Sequence, residues 1–353
     1  MNSFGTAFRV SVFGESHGPC VGVVLDGVPA GIALSPADFA ADINRRRPEG
    51  GACGSAAGSA AGPEAGSAAG GEGCAAGGPA AGSAAGSAAG GLGTTRREDD
   101  IPELASGVCN GFTTGAPIVI TFKNQDCQSS DYEPFKDMPR PGHADFVAQV
   151  KYGGFADLRG GGHFSGRLTL PLVAAGVVAK KILGPAYEFS SYAEISEELL
   201  EDGDSVGGTV YCVCTGAPVG LGEPFFDSVE SLVAHLAFSI PGVRGVEFGD
   251  GFAAAEMRGS EHNDPLVDAA GHTARNASGG VNGGITNGNA ICFAMAVKPT
   301  SSIAAAQQTF NFATGRVETL EIKGRHDRCI AKRCPVIAEA ALAIALADLS
   351  LRG

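Results

Sequence analysis

The chain has 353 residues, 44% hydrophobic and 18% charged, enough for a sizeable core in one large domain or two ordinary ones. Its 25 Lys+Arg against 38 Asp+Glu leave a net charge of −13 at pH 7. That balance argues against a nucleic-acid-binding protein and against a polybasic membrane-surface protein.

The first residues, MNSFGTAFRVSVFGESHG, lack the basic start and long apolar core of a signal peptide. Residues 8–13 (FRVSVF) alternate as a strand, and 22–25 continue apolar after a turn. Ser35-Pro36 predicts a helix start, with Ser as N-cap, Pro at the first helical position and Asp38 in the first turn; Pro48 ends that helix after three arginines. Residues 49–93 then change character: 16 of the 45 are Gly and 16 are Ala, with no Lys, Arg, aromatic or β-branched residue. Such a segment has too little apolar area to offset chain entropy and reads as a flexible insertion within one domain spanning 1–353. Further elements follow at 116–122 (strand), 170–183 (helix), 209–214 (strand), 227–238 (helix), 290–297 (strand) and 334–351, a closing helix whose apolar run is broken only by Glu339 and Asp348. That last stretch reads as a buried or amphipathic helix, not a membrane span. The 10 cysteines contain no C-x-x-C pair and predict reduced thiols in a cytoplasmic protein.

Three short segments put a titratable side chain beside glycine: Gly14–Gly18 around His17, Arg140–Asp145 around His143, and Gly324–Asp327. Glycine lets backbone approach a ligand, and two imidazoles with a carboxylate suffice for proton transfer at more than one atom. Arg45–Arg47, Arg96, Arg97, Arg140, Arg159, Arg167 and Arg325 lie in or beside Gly/Pro-rich loops of an acidic chain, a pattern suited to a small, multiply anionic ligand. Lys298-Pro299-Thr300-Ser301-Ser302 adds a cation and three hydroxyls after a strand. His17, His143 and Asp327 make a 2-His-1-carboxylate set on paper, but no H-x-H or H-x-x-x-H pair fixes them together, so no metal is expected. A G-x-S-x-G elbow is also absent, as are dinucleotide and P-loop fingerprints in the right context.

The motifs FGESHG (13–18), RRRP (45–48), TTRREDD (94–100), RPGHAD (140–145), RGGGHFSGR (159–167), GGITNG (283–288), KPTSSI (298–303) and GRHD (324–327) occur in this order. In that order the chain resembles the chorismate synthase family over nearly all its length outside the insertion. The resemblance implies an α+β fold, a β-α-β sandwich core with largely antiparallel sheets flanking helices, assembled as a homotetramer. It implies a lyase that converts 5-enolpyruvylshikimate 3-phosphate to chorismate by 1,4-anti elimination of phosphate. Reduced FMN is the implied cofactor, with NADPH left open as its reductant. No nucleic-acid or membrane partner is implied. By position, His17 matches the residue thought to protonate reduced flavin, His143 the one that protonates leaving phosphate, and Asp327 the carboxylate near flavin N5. His163, Phe164, Ser165, Pro241, Gly242, Gly283, Lys298, Pro299, Thr300, Ser301, Ser302 and Arg325 match flavin-lining positions. Arg46, Arg140 and Arg167 match positions near substrate or NADP anions. The chain departs from the pattern in three places. The insertion lacks a basic residue usual there, 184–208 is shorter than in the family, which predicts loss of an edge element, and Arg328 stands where proline is usual, which frees a backbone dihedral beside Asp327. A catalytically impaired relative that binds flavin or an anionic metabolite is the competing reading.

Overall fold

The computed structural model describes residues 1–47, 93–94, 96–322 and 326–353. The insertion therefore lies outside the described residues apart from Gly93, as does Arg325. Strands Ser3–Phe4 (β1), Arg9–Gly14 (β2), Cys20–Asp26 (β3), Glu103–Ser106 (β4) and Ile118–Lys123 (β5) form an antiparallel sheet in the order β1-β2-β3-β5-β4. Alternation puts Val21, Val23 and Leu25 of β3 beside Phe122, Ile120 and Ile118 of β5, all fully buried. Helices Ala40–Arg46 (α1), Asp145–Lys151 (α2) and Thr169–Leu183 (α3) follow. The Ser35 start is stabilised by Asp38, whose Oδ2 accepts the Ser35 N–H at 2.7 Å, and its first turn is 3-10 before α1 begins.

A second antiparallel sheet combines Glu188–Glu194 (β6), Gly208–Thr215 (β7), Val243–Phe248 (β8) and Ile291–Val297 (β9) in the order β8-β9-β7-β6. Helix Val229–Ser239 (α4) precedes β8. The hairpin Gln307–Asn311 (β10) and Arg316–Leu320 (β11) leads toward the closing helix Cys334–Ser350 (α5). Within 184–208, the alternating EFSSYAE of β6 pairs along its whole length with β7 and forms the edge of this sheet. α3 packs on β2, β3 and β5, α5 packs on β6 and β7, and the two helices pack on each other, giving a helical layer between the sheets. Among the described residues, no helix is long and apolar enough to cross a membrane.

α5 is buried on every side, which removes the amphipathic alternative. Its two charges are paired. Glu339 accepts bonds from Arg45 (2.6 and 2.9 Å), Lys180 (2.8 Å) and Ser191 (2.7 Å). Asp348 accepts the backbone N–H groups of Thr6, Ala7 and Phe8 at 2.7–2.9 Å and a bond from Arg352. At the α3–α5 crossing, a Cβ on Gly176 would lie 2.4 Å from the Cβ of Ala340, so only glycine permits this approach.

Candidate active site

Loops leaving both sheets and the helical layer come together around a cavity of about 1240 Å³. Its walls take Arg46 from α1, Thr94, Arg96, Glu98 and Asp100 before β4, parts of the 140–144 and 160–169 loops, 298–302 after β9, and His326, Asp327 and Arg333 before α5.

The 140–145 loop is the tightest part. Gly142 adopts φ +67°, and the turn brings Arg140, His143 and Asp145 into contact. Asp145 is 1% exposed. Its Oδ2 accepts from Arg140 Nε at 2.7 Å, and its Oδ1 accepts from Arg140 Nη2 at 2.8 Å and His143 Nδ1 at 2.7 Å. The Arg140 guanidinium lies 4.5 Å from the Phe135 ring centroid and donates to Ser302 Oγ at 3.0 Å. Burial would raise the Asp145 carboxyl, but the bonds from Arg140 and His143 outweigh it and hold the group well below the usual carboxylate range. Burial lowers His143; Asp145 opposes that, while Arg140 and Lys298 add to it. Lys298 Nζ donates to Gly142 O (2.9 Å) and Ser301 Oγ (2.6 Å), joining the 298–302 loop to the 140–145 turn.

Asp327 sits on another wall. Its Oδ1 accepts from Arg333 Nη2 at 2.6 Å and from the backbone N–H of Thr94 at 2.8 Å, which leaves Oδ2 with no described donor. Neighbouring His326 is pushed down to about 4, chiefly by burial and then by the charge of Arg140, and is neutral at pH 7. Arg328, in place of the expected proline, donates to the carbonyl of Glu201 at 2.7 Å and so ties this loop to the 201 segment.

Arg46 and Arg167 are both buried and share Asp100, which stands between them at φ +51°. Arg46 Nε also donates to Thr169 Oγ1 (2.9 Å) and Nη2 to Gly166 O (3.1 Å), while Arg167 Nε donates to Asn124 Oδ1 (3.0 Å). Burial drives Arg46 down to about 9; Asp100 opposes the fall, and Arg333 and Arg167 deepen it.

Three successive left-handed glycines, Gly160, Gly161 and Gly162, turn the chain into the cavity; a Cβ on Gly162 would lie 1.8 Å from Asp157 O. This turn delivers His163, whose Nδ1 donates to Gly14 O at 2.8 Å, together with Phe164 and Ser165. Pro241, Gly242 and Lys298 through Ser302 also line the cavity. His17 does not: it stands behind Gly160, where an added Cβ would be 2.6 Å from its Nε2, and its Nδ1 is 3.1 Å from Ser129 Oγ. Burial, Arg96 and Arg159 lower its pKa. Gly283 lies apart, in the turn joining Val281–Asn282 to Ile285–Thr286.

A family model described as chorismate synthase matches residues 8–59, 84–197 and 185–351. The chorismate synthase of Chitinophaga pinensis is 53% identical over 361 residues, covering 99% of this chain and 97% of its own. That of Korarchaeum cryptofilum is 40% identical with the same coverage of both chains. The chain belongs to the chorismate synthase family. A crystal structure of a chorismate synthase superposes with a TM-score of 0.65 at 22% identity, covering 99% of this chain and 93% of that one, and supports the shared fold.

As a member of the chorismate synthase family the protein is a lyase. In its cavity, or directly behind the wall in the case of Asp145, lie residues that the motif reading left without a role. Asp145 and Asp100 were legible only as parts of motifs. Arg96, read as one of several loop cations, donates to Ser16 Oγ at 2.9 Å and pairs with Glu98 at 2.6 Å. Arg333 carried no signal: it lies in the short turn before α5, in a stretch read as the approach to the closing helix.

Proposed function

We propose that this cavity carries out the 1,4-anti elimination of phosphate from 5-enolpyruvylshikimate 3-phosphate, giving chorismate. The supporting observation is that one cavity is lined by Arg140 and His143, both bonded to the buried Asp145 behind them, and by an Asp327 carboxylate pinned on one oxygen. Reduced FMN fits the residues present. The volume exceeds the usual range for a single small ligand, so a flavin and a small substrate can share it. His163 and His326 offer imidazole edges, Phe164 an aromatic face, and Lys298 with Ser301 and Ser302 a polar rim.

When bound, reduced FMN supplies an electron-rich centre for removing an unactivated ring hydrogen, which imidazole and carboxylate bases accomplish poorly at neutral pH. Arg140 orients the substrate phosphate beside His143. His143 Nε2 gives that phosphate a proton as its C–O bond breaks. Arg46 and Arg167 stabilise the substrate carboxylates, their charge moderated by the shared Asp100. Asp327 would stand beside the flavin as the carboxylate that helps it take the ring hydrogen, and His17, behind Gly160, would be the proton source for the reduced flavin itself. We place the enzyme in the cytoplasm as a homotetramer, with NADPH one candidate reductant. The eight described cysteines are all free thiols, in keeping with a reducing compartment.

Anaerobic turnover of the enolpyruvyl substrate with chemically reduced FMN tests the reading. Chorismate and phosphate are expected in equal amounts, with Asp327→Asn slower by about 10²-fold. Saturable flavin binding without product would replace this reading with that of an impaired relative.

A further inference from the structure

Asp145 has no role in the chemistry just described, yet every bond it makes is to a group that has one. Oδ2 accepts the Arg140 backbone N–H (3.1 Å) and Nε (2.7 Å), and Oδ1 accepts Arg140 Nη2 (2.8 Å) and His143 Nδ1 (2.7 Å). The carboxylate is sealed from solvent and carries four donors, about the full capacity of its lone pairs. Arg140 Nη2 also lies 3.0 Å from His143 Nδ1. A guanidinium cannot accept a bond, and a carboxylate at 2.7 Å requires a donor, so the neutral imidazole carries its hydrogen on Nδ1. Nε2 is then the bare nitrogen, and His143 lines the cavity.

We propose that Asp145 is a positioning residue that fixes the Nδ1–H tautomer of His143, reserves Nε2 for proton exchange with the leaving phosphate, and stabilises the imidazolium that donates the proton. This rests on the assignment of His143 as the phosphate's proton donor. The proton moves from Nε2 to a phosphate oxygen, leaving neutral imidazole with Nδ1–H still bonded to Asp145. The charged groups around His143 are Arg140 and Asp145 in its own loop, Lys298 from the loop after β9, and His326, neutral, from the loop before α5. Of these, Asp145 is the one that favours the protonated form, so its loss lowers the pH at which His143 gives up its proton.

Imidazole ¹⁵N spectra of the wild-type protein, assigned by the signal lost in His143→Gln, read the tautomer without altering Asp145. The expected result is a protonated Nδ1 and an unprotonated Nε2 above the titration; Nε2–H as the main form overturns the proposal. In Asp145→Asn, kcat is expected to fall about 10²-fold, and the alkaline limb of its pH profile to move to lower pH. A variant that only loosened Arg140 would raise KM and leave kcat and the limb in place; that outcome also overturns the proposal. Should Asp145→Asn fail to fold, the wild-type spectrum still decides. Full turnover in His143→Gln would instead refute the proton-donor assignment, leaving the tautomer to be settled by the spectra.

Discussion

At the scale of single residues, the cavity's arginines are seldom bare cations. Arg140 is matched by Asp145, Arg333 by Asp327, Arg96 by Glu98, and Arg46 and Arg167 together by Asp100. Counting arginines in loops therefore identified the right region but overstated its free charge. The carboxylates give each guanidinium a fixed direction, and preorganised groups stabilise developing charge without having to reorganise. Arg333 matters most for this point, because with Thr94 it sets which Asp327 oxygen remains available. Arg333→Leu is expected to lower kcat at least tenfold while the thermal midpoint stays within a few degrees, and Arg333→Lys to recover part of the loss. Steady-state kinetics beside a melting curve checks both; equal kcat in all three proteins would remove Arg333 from the mechanism.

At the scale of elements, the closing helix shows how a hydrophobic segment accommodates charge. Glu339 ties α5 to Arg45 of α1, Lys180 of α3 and Ser191 of β6, so one carboxylate links two helices and an edge strand. Burial would raise its pKa, but the bond from Arg45 and the charge and bond of Lys180 bring it down from 4.5 to about 2. A carboxyl depressed in the folded state stabilises fully above its unfolded value. This contribution is thus present above pH 4.5 and declines as pH falls toward 2; Glu339→Ala is expected to flatten the acid limb of stability and to cost about 3–5 kcal/mol at neutral pH. Urea unfolding at several pH values measures both. Gly176 tests the same interface by shape: Gly176→Ala forces a methyl against Ala340 and is expected to cost about 1–3 kcal/mol despite alanine's better helix propensity, read as a lower urea midpoint.

At the scale of the whole molecule, the chain's two ends are joined by Asp348, which takes three N-terminal amides more than 300 residues away in sequence. Asp348→Ala is expected to raise hydrogen–deuterium exchange across residues 3–14 first, because those amides lose a buried acceptor; unchanged exchange there would show that the strand is held by its sheet pairing alone. The sequence by itself determined the local elements. Alternation marked β2, Ser35-Pro36 marked a helix start, and ordered motifs around glycine marked the loops of the site. These signals are legible because they depend on neighbours a few residues apart. Tertiary structure decided that 188–194 forms an edge strand, that Glu339 and Asp348 are fasteners, and that Arg333 returns to Asp327. It also placed His17 behind Gly160 and Gly283 away from the cavity. Those facts depend on burial and on contacts between segments distant in the chain, where the energy of a charge is set by the partner folding brings to it.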